Sequence, residues 1–449
     1  MPYEFDLSGP LPGAGVTVLE ASAGTGKTYT IAALVARYVA EGVPLSEILA
    51  VTFTRMATGE LRDRVRERLV SAHACLRRFL DDGTPVPADD EVAAVITQGT
   101  LDEVAERRRR LAGALSSFDE ATITTTHGFC HLVLSSMGVA GGASAQDTLL
   151  EDTADLVEEV VDDLYLRRSL GYGLPGFNRS TALQVAGMAV KNPDTALEPP
   201  ADASIPGRLR RFADAVRVEF ENRLRSANLL TYDDLLVRLR DALVDPERGK
   251  TACARLSGHY KVVLVDEFQD TDPVQWDVVK NAFGSGETVL VLIGDPKQAI
   301  YAFRGADVYA YLAASASAGE HFTLGDNYRS DEALLRAFDA LMDPLLLGHP
   351  DIPYRVVRSI PKHEQPGLRG APSPSALRAR VLHSDDHDVT LTATKGLVQK
   401  AAAVEWVAAD LASDVVALLS SGAELVDWDD RGRESGRRAV TPGHVAVLV

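Results

Sequence analysis

The residues best suited to chemistry in this chain lie in two places far apart in sequence. The first is Ala21-Ser22-Ala23-Gly24-Thr25-Gly26-Lys27-Thr28, a glycine-bearing loop that ends in a lysine and a hydroxyl. Glycines let backbone N–H groups turn toward phosphate oxygens, and a helix starting near Lys27 adds its positive N-terminal end. In such a loop Lys27 reaches the β- and γ-phosphates and the Thr28 hydroxyl holds Mg²⁺. The opening Ala21 departs from the strict pattern, which has glycine there. The second place is Asp266-Glu267. One carboxylate at a strand end can take Mg²⁺ through water while its neighbour polarises an attacking water. A glycine-rich turn or a polar strand end is commonplace alone. The two together, in this order, imply a nucleoside triphosphatase that uses ATP and Mg²⁺.

Both sets of residues need a scaffold that brings them to one edge. Val16–Leu19, Ile48–Phe53, Val262–Val265, Thr288–Ile293 and Val445–Val449 are apolar almost throughout. Such runs suit strands covered on both faces of a parallel sheet. Between them lie amphipathic stretches; in Thr28–Ala40, Ile31, Leu34, Val35, Tyr38 and Val39 recur at helical spacing. This alternation predicts an α/β fold with ligands at the carboxyl ends of the strands. The predicted organisation is an α/β P-loop domain in two parts, 1–134 and 231–325, interrupted by a helical insertion over 135–230. Within that insertion, Gly171–Gly176 and the proline-rich Asn192–Gly207 read as loops. Residues 326–449 read as a later unit, with a Pro/Gly-rich excursion over 348–374. An apolar run as the last residues, Val445–Val449, points to a truncated chain.

With 449 residues and 46% hydrophobic content the chain can bury more than one core. Its 46 basic and 64 acidic side chains leave a net charge of −18, which excludes nucleic-acid binding by a general basic surface. Any DNA contact must come from local strips and stacking aromatics. Cys75, Cys130 and Cys253 form no paired motif, which fits a reducing cytoplasm and supports no metal site. His127, Cys130 and His131 lack a second ligand pair. No apolar stretch approaches a membrane span, so no membrane partner is expected. The arginine strip Arg62, Arg64, Arg66, Arg68, Arg77 and Arg78 could follow DNA phosphates, but a solvated helix face explains it at least as well.

The segment after the acids carries more. VDEFQDTDPVQ, residues 265–275, strongly resembles the second helicase motif of the UvrD/Rep-like superfamily 1 helicases. Other segments resemble further motifs of that family, in order. Thr52-Phe53-Thr54 with Ala57-Thr58 and Glu60-Leu61-Arg62 is similar to a segment that contacts single-stranded DNA, as is Thr126-His127-Gly128-Phe129-Cys130. Leu230-Thr231-Tyr232-Asp233-Asp234-Leu235-Leu236 resembles the helix that re-enters the first motor domain. Gly294–Ala306 resembles the third motif and Asn327-Tyr328-Arg329-Ser330 the fourth. The phrases LEASAGTGKT, TTHGFC and IGDPKQAIYAFRGAD are closer to the RecB-type exonuclease V branch than to UvrD, Rep or AddA-type proteins.

The resemblance implies an ATP-driven 3′→5′ DNA helicase motor acting in double-strand break repair and recombination, with DNA and RecC-like and RecD-like subunits as partners; it makes 1–134 with 231–325 a RecA-like motor domain and 326–449 the opening of a second. It implies that Gln298 senses the γ-phosphate, that Arg329 is an arginine finger, and that Tyr328 stacks on adenine. Thr52, Phe53, Thr54, His127, Phe129, Tyr301, Phe303 and Arg304 are the implied DNA contacts, the aromatics by sequence-tolerant stacking. The family's adenine-reading glutamine lies upstream of the P-loop, whereas the first glutamine here is Gln98. The fifth and sixth motifs and a nuclease domain would lie beyond Val449, so weak ATP binding and poor hydrolysis are expected of this chain. A non-translocating ATP-binding scaffold subunit is the competing reading. No LSGGQ-like signature supports a transporter-type ATPase, and no NKxD motif supports a GTPase.

Overall fold

A computed structural model describes residues 2–87, 90–137, 148–150, 152–172, 176–192, 195–302, 306–343, 345–386, 389–392 and 395–448. Seven strands make one sheet: β1 (Tyr3–Glu4), β2 (Gly15–Glu20), β3 (Ile48–Thr52), β4 (Thr122–Thr125), β5 (Val262–Val265), β6 (Val289–Gly294) and β7 (Glu320–Thr323). Every neighbouring pair is parallel, in the order β1-β7-β2-β6-β5-β3-β4. The fold is therefore α/β with a parallel sheet, as the apolar runs predicted for β2, β3, β5 and β6. Alternate residues feed two cores. Leu19, Ala50, Leu264, Val291 and Ile293 face helices Lys27–Glu41, Arg55–Asp82 and Leu101–Ser116. Val18, Leu49, Val51, Val263, Val265, Leu290 and Leu292 face helices Thr126–Met137, Tyr232–Val244 and Pro273–Phe283. Burial on both faces is what permits strands without polar alternation.

Register sets the level of the loops. Leu19 pairs with Ile293 and Glu20 with Gly294, while Val265 pairs with Leu292. The Ala21 N–H donates to the Gly294 carbonyl at 3.0 Å and the Asp266 N–H to the Val51 carbonyl at 2.8 Å. The P-loop and the acidic pair thus leave the same edge of the sheet on either side of β6, although they are remote in sequence. The run Arg107–Arg110 serves this scaffold: the Arg110 guanidinium donates to the Ala40 carbonyl at 2.9 Å, at the C-terminal end of helix Lys27–Glu41, where cations are favoured.

Between β4 and β5, helices Ala154–Tyr172, Arg179–Lys191 and Ile205–Ala227 pack on one another around Val160, Val161, Ala182, Ala186, Phe212, Val216 and Phe220. The spacing of Phe212, Val216, Phe220 and Leu224 keeps them on one face of their helix. Thr148–Leu149 pairs in parallel with Leu229–Leu230 where the chain enters and leaves this unit. Part of the expected loop 171–176, and residues 193–194 of the proline-rich one, lie outside the described residues.

After β7, helix Glu332–Met342 lies between two short strands, Asp326–Asn327 and Arg358–Ser359, which pair in parallel. An antiparallel sheet of Leu368–Arg369, Glu424–Trp428 and Glu434–Ala439 comes later in the chain. The parallel sheet does not extend into this part among the described residues. Helix Lys400–Ser420 buries none of its residues. The expectation of a strand over Val445–Val449 is corrected: Pro442–His444 is a 3₁₀ turn, Val447 and Leu448 are exposed, and Val449 lies outside the described residues. Apolar composition alone does not make a strand where no neighbour offers a ladder.

The core of the helical insertion is its own, so Phe212→Ala should open it locally. We expect a loss of about 3–5 kcal/mol, read by hydrogen exchange as lost protection across 154–227 with helix Lys27–Glu41 still protected.

Candidate active site

The loop after β2 needs two left-handed residues, which glycine adopts without steric cost. Gly24 has φ +82° and Gly26 has φ +85°. Gly26 caps helix Lys27–Glu41 with no side chain, so the first-turn N–H groups face the cleft rather than a capping oxygen. The loop is braced from within by Thr25, whose hydroxyl donates to the Ser22 carbonyl at 2.7 Å.

Lys27 does not point into solvent. Its Nζ lies 2.6 Å from Glu267 Oε2. Glu267 holds a left-handed backbone, φ +50°, a conformation that costs a residue with a Cβ about 1–3 kcal/mol and recurs at functional sites. The same Oε2 accepts from Gln269 Nε2 at 2.7 Å, and Gln269 Oε1 accepts the Asp295 N–H at 2.9 Å. Gln269 therefore links the loop after β5 to the loop after β6. There Gln298 Nε2 donates to Asp295 Oδ2 at 2.7 Å.

Asp266 is pushed up to about 6, first by burial and then by the neighbouring Glu267 charge; Asp270 is also pushed up to about 6 by the same causes. Asp270 Oδ1 is buried and makes no hydrogen bond. The buried Asp266 carboxylate beside the Glu267 charge is a fitting seat for a divalent cation, whose charge relieves both penalties. Among the described residues no cluster of three or more His, Cys, Asp or Glu side chains could hold a metal. Mg²⁺ does not need one: one or two carboxylates with substrate phosphates and water suffice. Thr28 and Asp266 fit that role.

The segment Asn327-Tyr328-Arg329 lies directly on the loop. Asn327 is buried; its Nδ2 donates to the Ala23 carbonyl at 2.8 Å, and its Oδ1 accepts the N–H groups of Arg329 and Ser330 at 2.9 Å each. The Tyr328 N–H donates to the Gly24 carbonyl at 2.8 Å. Ser22, Gly24, Gly26, Lys27, Thr28, Glu267, Tyr328 and Arg329 line one cleft of about 740 Å³, so the structure brings these sequence-predicted residues together. Tyr29, which sequence reasoning passed over, lines it too, and with Tyr328 also lines the adjoining cavity of about 690 Å³. Two half-exposed tyrosines flanking Gly26 suit a planar base. The signal available was Tyr29's position directly after Thr28. A more apolar groove of about 630 Å³, lined by Leu132, Met137, Arg255 and His259, holds none of the predicted residues.

The predicted strand contacts divide. Phe53 and Tyr301 stack at 5.4 Å between centroids, and exposed Thr54 caps helix Arg55–Asp82 by accepting the Ala57 N–H. The His127 ring meets Tyr232 edge-on at 5.1 Å, and burial lowers its pKa. Arg55 donates to the Tyr232 hydroxyl at 2.7 Å, joining this group to the end of β3. Two of these residues are turned into the protein. Phe129 is 1% exposed and packs on Phe283 and Tyr260, so its ring is core. Thr52 is also 1% exposed, and its hydroxyl lies 2.6 Å from Thr58 Oγ1, bracing the loop. Phe303 and Arg304 lie outside the described residues. Of the arginine strip, Arg68 is turned inward to a two-pronged pairing with Asp90.

The sequence matches the family described as UvrD/REP helicase N-terminal domain over residues 9–318. It is 47% identical over 428 residues to the RecBCD enzyme subunit RecB of Mycolicibacterium smegmatis, covering 94% of this chain and 38% of that protein. Against the subunit of the same name from Mycobacterium tuberculosis it is 43% identical over 456 residues, 99% of this chain and 39% of the relative. For that of Escherichia coli the identity is 27% over 488 residues, covering 79% and 40%. The chain spans about two fifths of the length of these curated relatives.

Two outcomes follow from the geometry. A Cβ at Gly24 would stand 2.8 Å from Asn327 Nδ2 and 2.9 Å from Arg329 Cβ, so Gly24→Ala should lift residues 326–330 off the loop. Raised hydrogen exchange there would register it. Asp266 and Asp270 hold protons in the fold that the unfolded chain has released between their ordinary value of 3.8 and about 6. Their contribution to stability is therefore full below pH 3.8 and lost as pH rises through 6. In metal-free buffer Asp266→Asn should melt higher than the native chain at pH 7, and the gap should close toward pH 4.

Proposed function

The chain belongs to the UvrD/REP helicase family, and from that premise we propose that its cleft binds ATP with Mg²⁺ and hydrolyses it to move along DNA. The observation that carries this reading is the convergence of Lys27, Glu267, Tyr328 and Arg329 on one cleft at the carboxyl edge of a parallel sheet. In this reading the N–H groups of Ala23–Thr28 cradle phosphate oxygens. Lys27 leaves Glu267 for the β- and γ-phosphates, because a phosphate chain offers it more negative charge than one carboxylate. Glu267, once released, is free to orient and polarise the attacking water. Thr28 and Asp266 hold Mg²⁺, which supplies charge neutralisation between the phosphates. Gln298 contacts the γ-phosphate, Arg329 neutralises charge developing in the transition state, and Tyr328 with Tyr29 holds the base.

The DNA path runs over Phe53, Thr54, His127 and Tyr301, which lie at the ends of β3, β4 and β6. Stacking on such rings gives sequence-tolerant grip, which suits a motor with a net charge of −18 and no general basic surface. By likeness to relatives named as RecB subunits of a RecBCD enzyme, we assign the chain to the motor of such a complex. It would translocate 3′→5′ with RecC-like and RecD-like partners in cytoplasmic double-strand break repair and recombination. We divide it into a motor domain of 1–134 with 231–325, an insertion of 135–230, and the opening of a second motor domain at 326–449. The separate core of the insertion supports that division. No helix among the described residues is long and apolar enough to cross a membrane.

A fluorescent ATP analogue should bind the chain and lose binding in Lys27→Ala. Glu267→Gln should keep binding within a few-fold while cutting hydrolysis by about 10²–10⁴-fold, the range for loss of a general base. Steady-state hydrolysis with and without single-stranded DNA reads the coupling. Equal binding by the native chain and Lys27→Ala would sink the proposal.

A further inference from the structure

Behind Gln298 lies a buried, charge-balanced chain of contacts that the proposed reaction does not itself require. Asp295 Oδ2 accepts from Gln298 Nε2 at 2.7 Å, and Asp295 Oδ1 lies 2.7 Å from Lys297 Nζ. Lys297 Nζ also reaches Glu20 Oε1 at 2.8 Å. The other oxygen of that carboxylate, Oε2, accepts from Arg355 Nε at 2.6 Å. Two carboxylates face two cations, and the side chains of Glu20 and Lys297 are each only 10% exposed. Glu20 is the last residue of β2, immediately before the P-loop. Arg355 comes from the Pro/Gly-rich excursion, outside the span 9–318 that matches the family.

We propose that Glu20 and Arg355 are positioning residues for the γ-phosphate contact: through Lys297 and Asp295 they fix the direction of the Gln298 amide. The physical case is one of constraint. A glutamine side chain in a loop has several rotatable bonds, and its amide discriminates a terminal phosphate only if held before the ligand arrives. Asp295 supplies the hold, and its own orientation is set by Lys297 alone, whose main-chain N–H its Oδ1 accepts at 3.1 Å and whose ammonium it pairs with. Glu20 fixes that lysine from the far side, and Arg355 fixes Glu20. Removing Arg355 leaves a buried carboxylate excess that draws Lys297 toward Glu20 and away from Asp295. Sensing of the γ-phosphate thereby depends on how residues around 355 seat against β2. This inference rests on the proposed ATP site, so its test must separate the two.

Affinities for a fluorescent ATPγS analogue and a fluorescent ADP analogue are measured on the full chain, native and with Arg355→Met, Arg355→Lys, Glu20→Gln and Lys27→Ala. Arg355→Met and Glu20→Gln should weaken the triphosphate analogue by about tenfold, the value of one hydrogen bond to a charged group. Their affinity for ADP should stay within about twofold, and Arg355→Lys should recover part of the loss. Hydrogen exchange across 295–302 should rise in Arg355→Met without nucleotide, a readout independent of turnover. Unchanged discrimination, or equal loss for both nucleotides, would overturn the positioning role while Lys27→Ala still weakens both ligands. Should Arg355→Met fail to fold, the isosteric Glu20→Gln decides alone. If the native chain binds neither nucleotide, the site reading falls and this inference with it.

Discussion

At the end of β5 burial disfavours charge on Asp266 and Asp270, and the Glu267 charge adds to the penalty, while the Lys27 ammonium 2.6 Å from Glu267 offsets it. Much of the site can be understood from that one contact. It draws the P-loop and the acidic loop together, and it keeps Glu267 in an unfavourable backbone conformation. It also gives Gln269 a fixed carboxylate to donate to. A ligand that is itself a polyanion competes for the same ammonium, so arrival of the ligand and release of Glu267 are one event. The electrostatic arrangement is thus poised: stable enough to hold the loops, and weak enough for phosphate to replace.

The network also explains why contacts on three loops act as a unit. From Lys27 the path runs through Glu267 and Gln269 to Asp295, and from there to Gln298, Lys297, Glu20 and Arg355. Apart from the neutral bond from the Asp295 N–H to Gln269, each link is charged or charge-assisted, and such bonds are strong where water is scarce. Asn327 does the same for the fourth loop by tying the segment of Tyr328 and Arg329 to Ala23.

What could be seen in advance followed from burial and from local spacing. Strands β2, β3, β5 and β6 announce themselves because both faces are covered, leaving no polar alternation. β7, Glu-His-Phe-Thr, and β4, Thr-Ile-Thr-Thr, do not, because their burial is partial and no continuous apolar run marks them. Val445–Val449 misled for the opposite reason, since apolarity without a pairing partner has no direction. In the site, residues contiguous with a glycine loop or an acidic pair were legible. Asn327, Gln269, Glu20 and Arg355 were not assigned roles, because their partners are fixed by sheet register and chain reversal rather than by neighbours in sequence. Phe129 and Thr52 show the limit of motif reasoning. A motif on a helix or strand has an inward side, and residues there are shared with the core.

The position of β2 also bears on how the protein comes to exist on a ribosome. Its two neighbours, β6 and β7, begin at Val289 and Glu320, while β2 itself ends at Glu20. At the usual 5–20 residues per second of translation, β2 has emerged for roughly 15–50 s before either partner is synthesised. During that interval a strand meant for the sheet interior has both edges open, the condition that favours wrong pairing. Nucleotide cannot rescue it, because the acidic loop that completes the cleft is also still unmade. The insertion, held by neighbours close in sequence, can fold in the meantime. The arrangement that gives the finished site its rigidity therefore makes the nascent chain dependent on protection until nearly three quarters of these 449 residues have been translated.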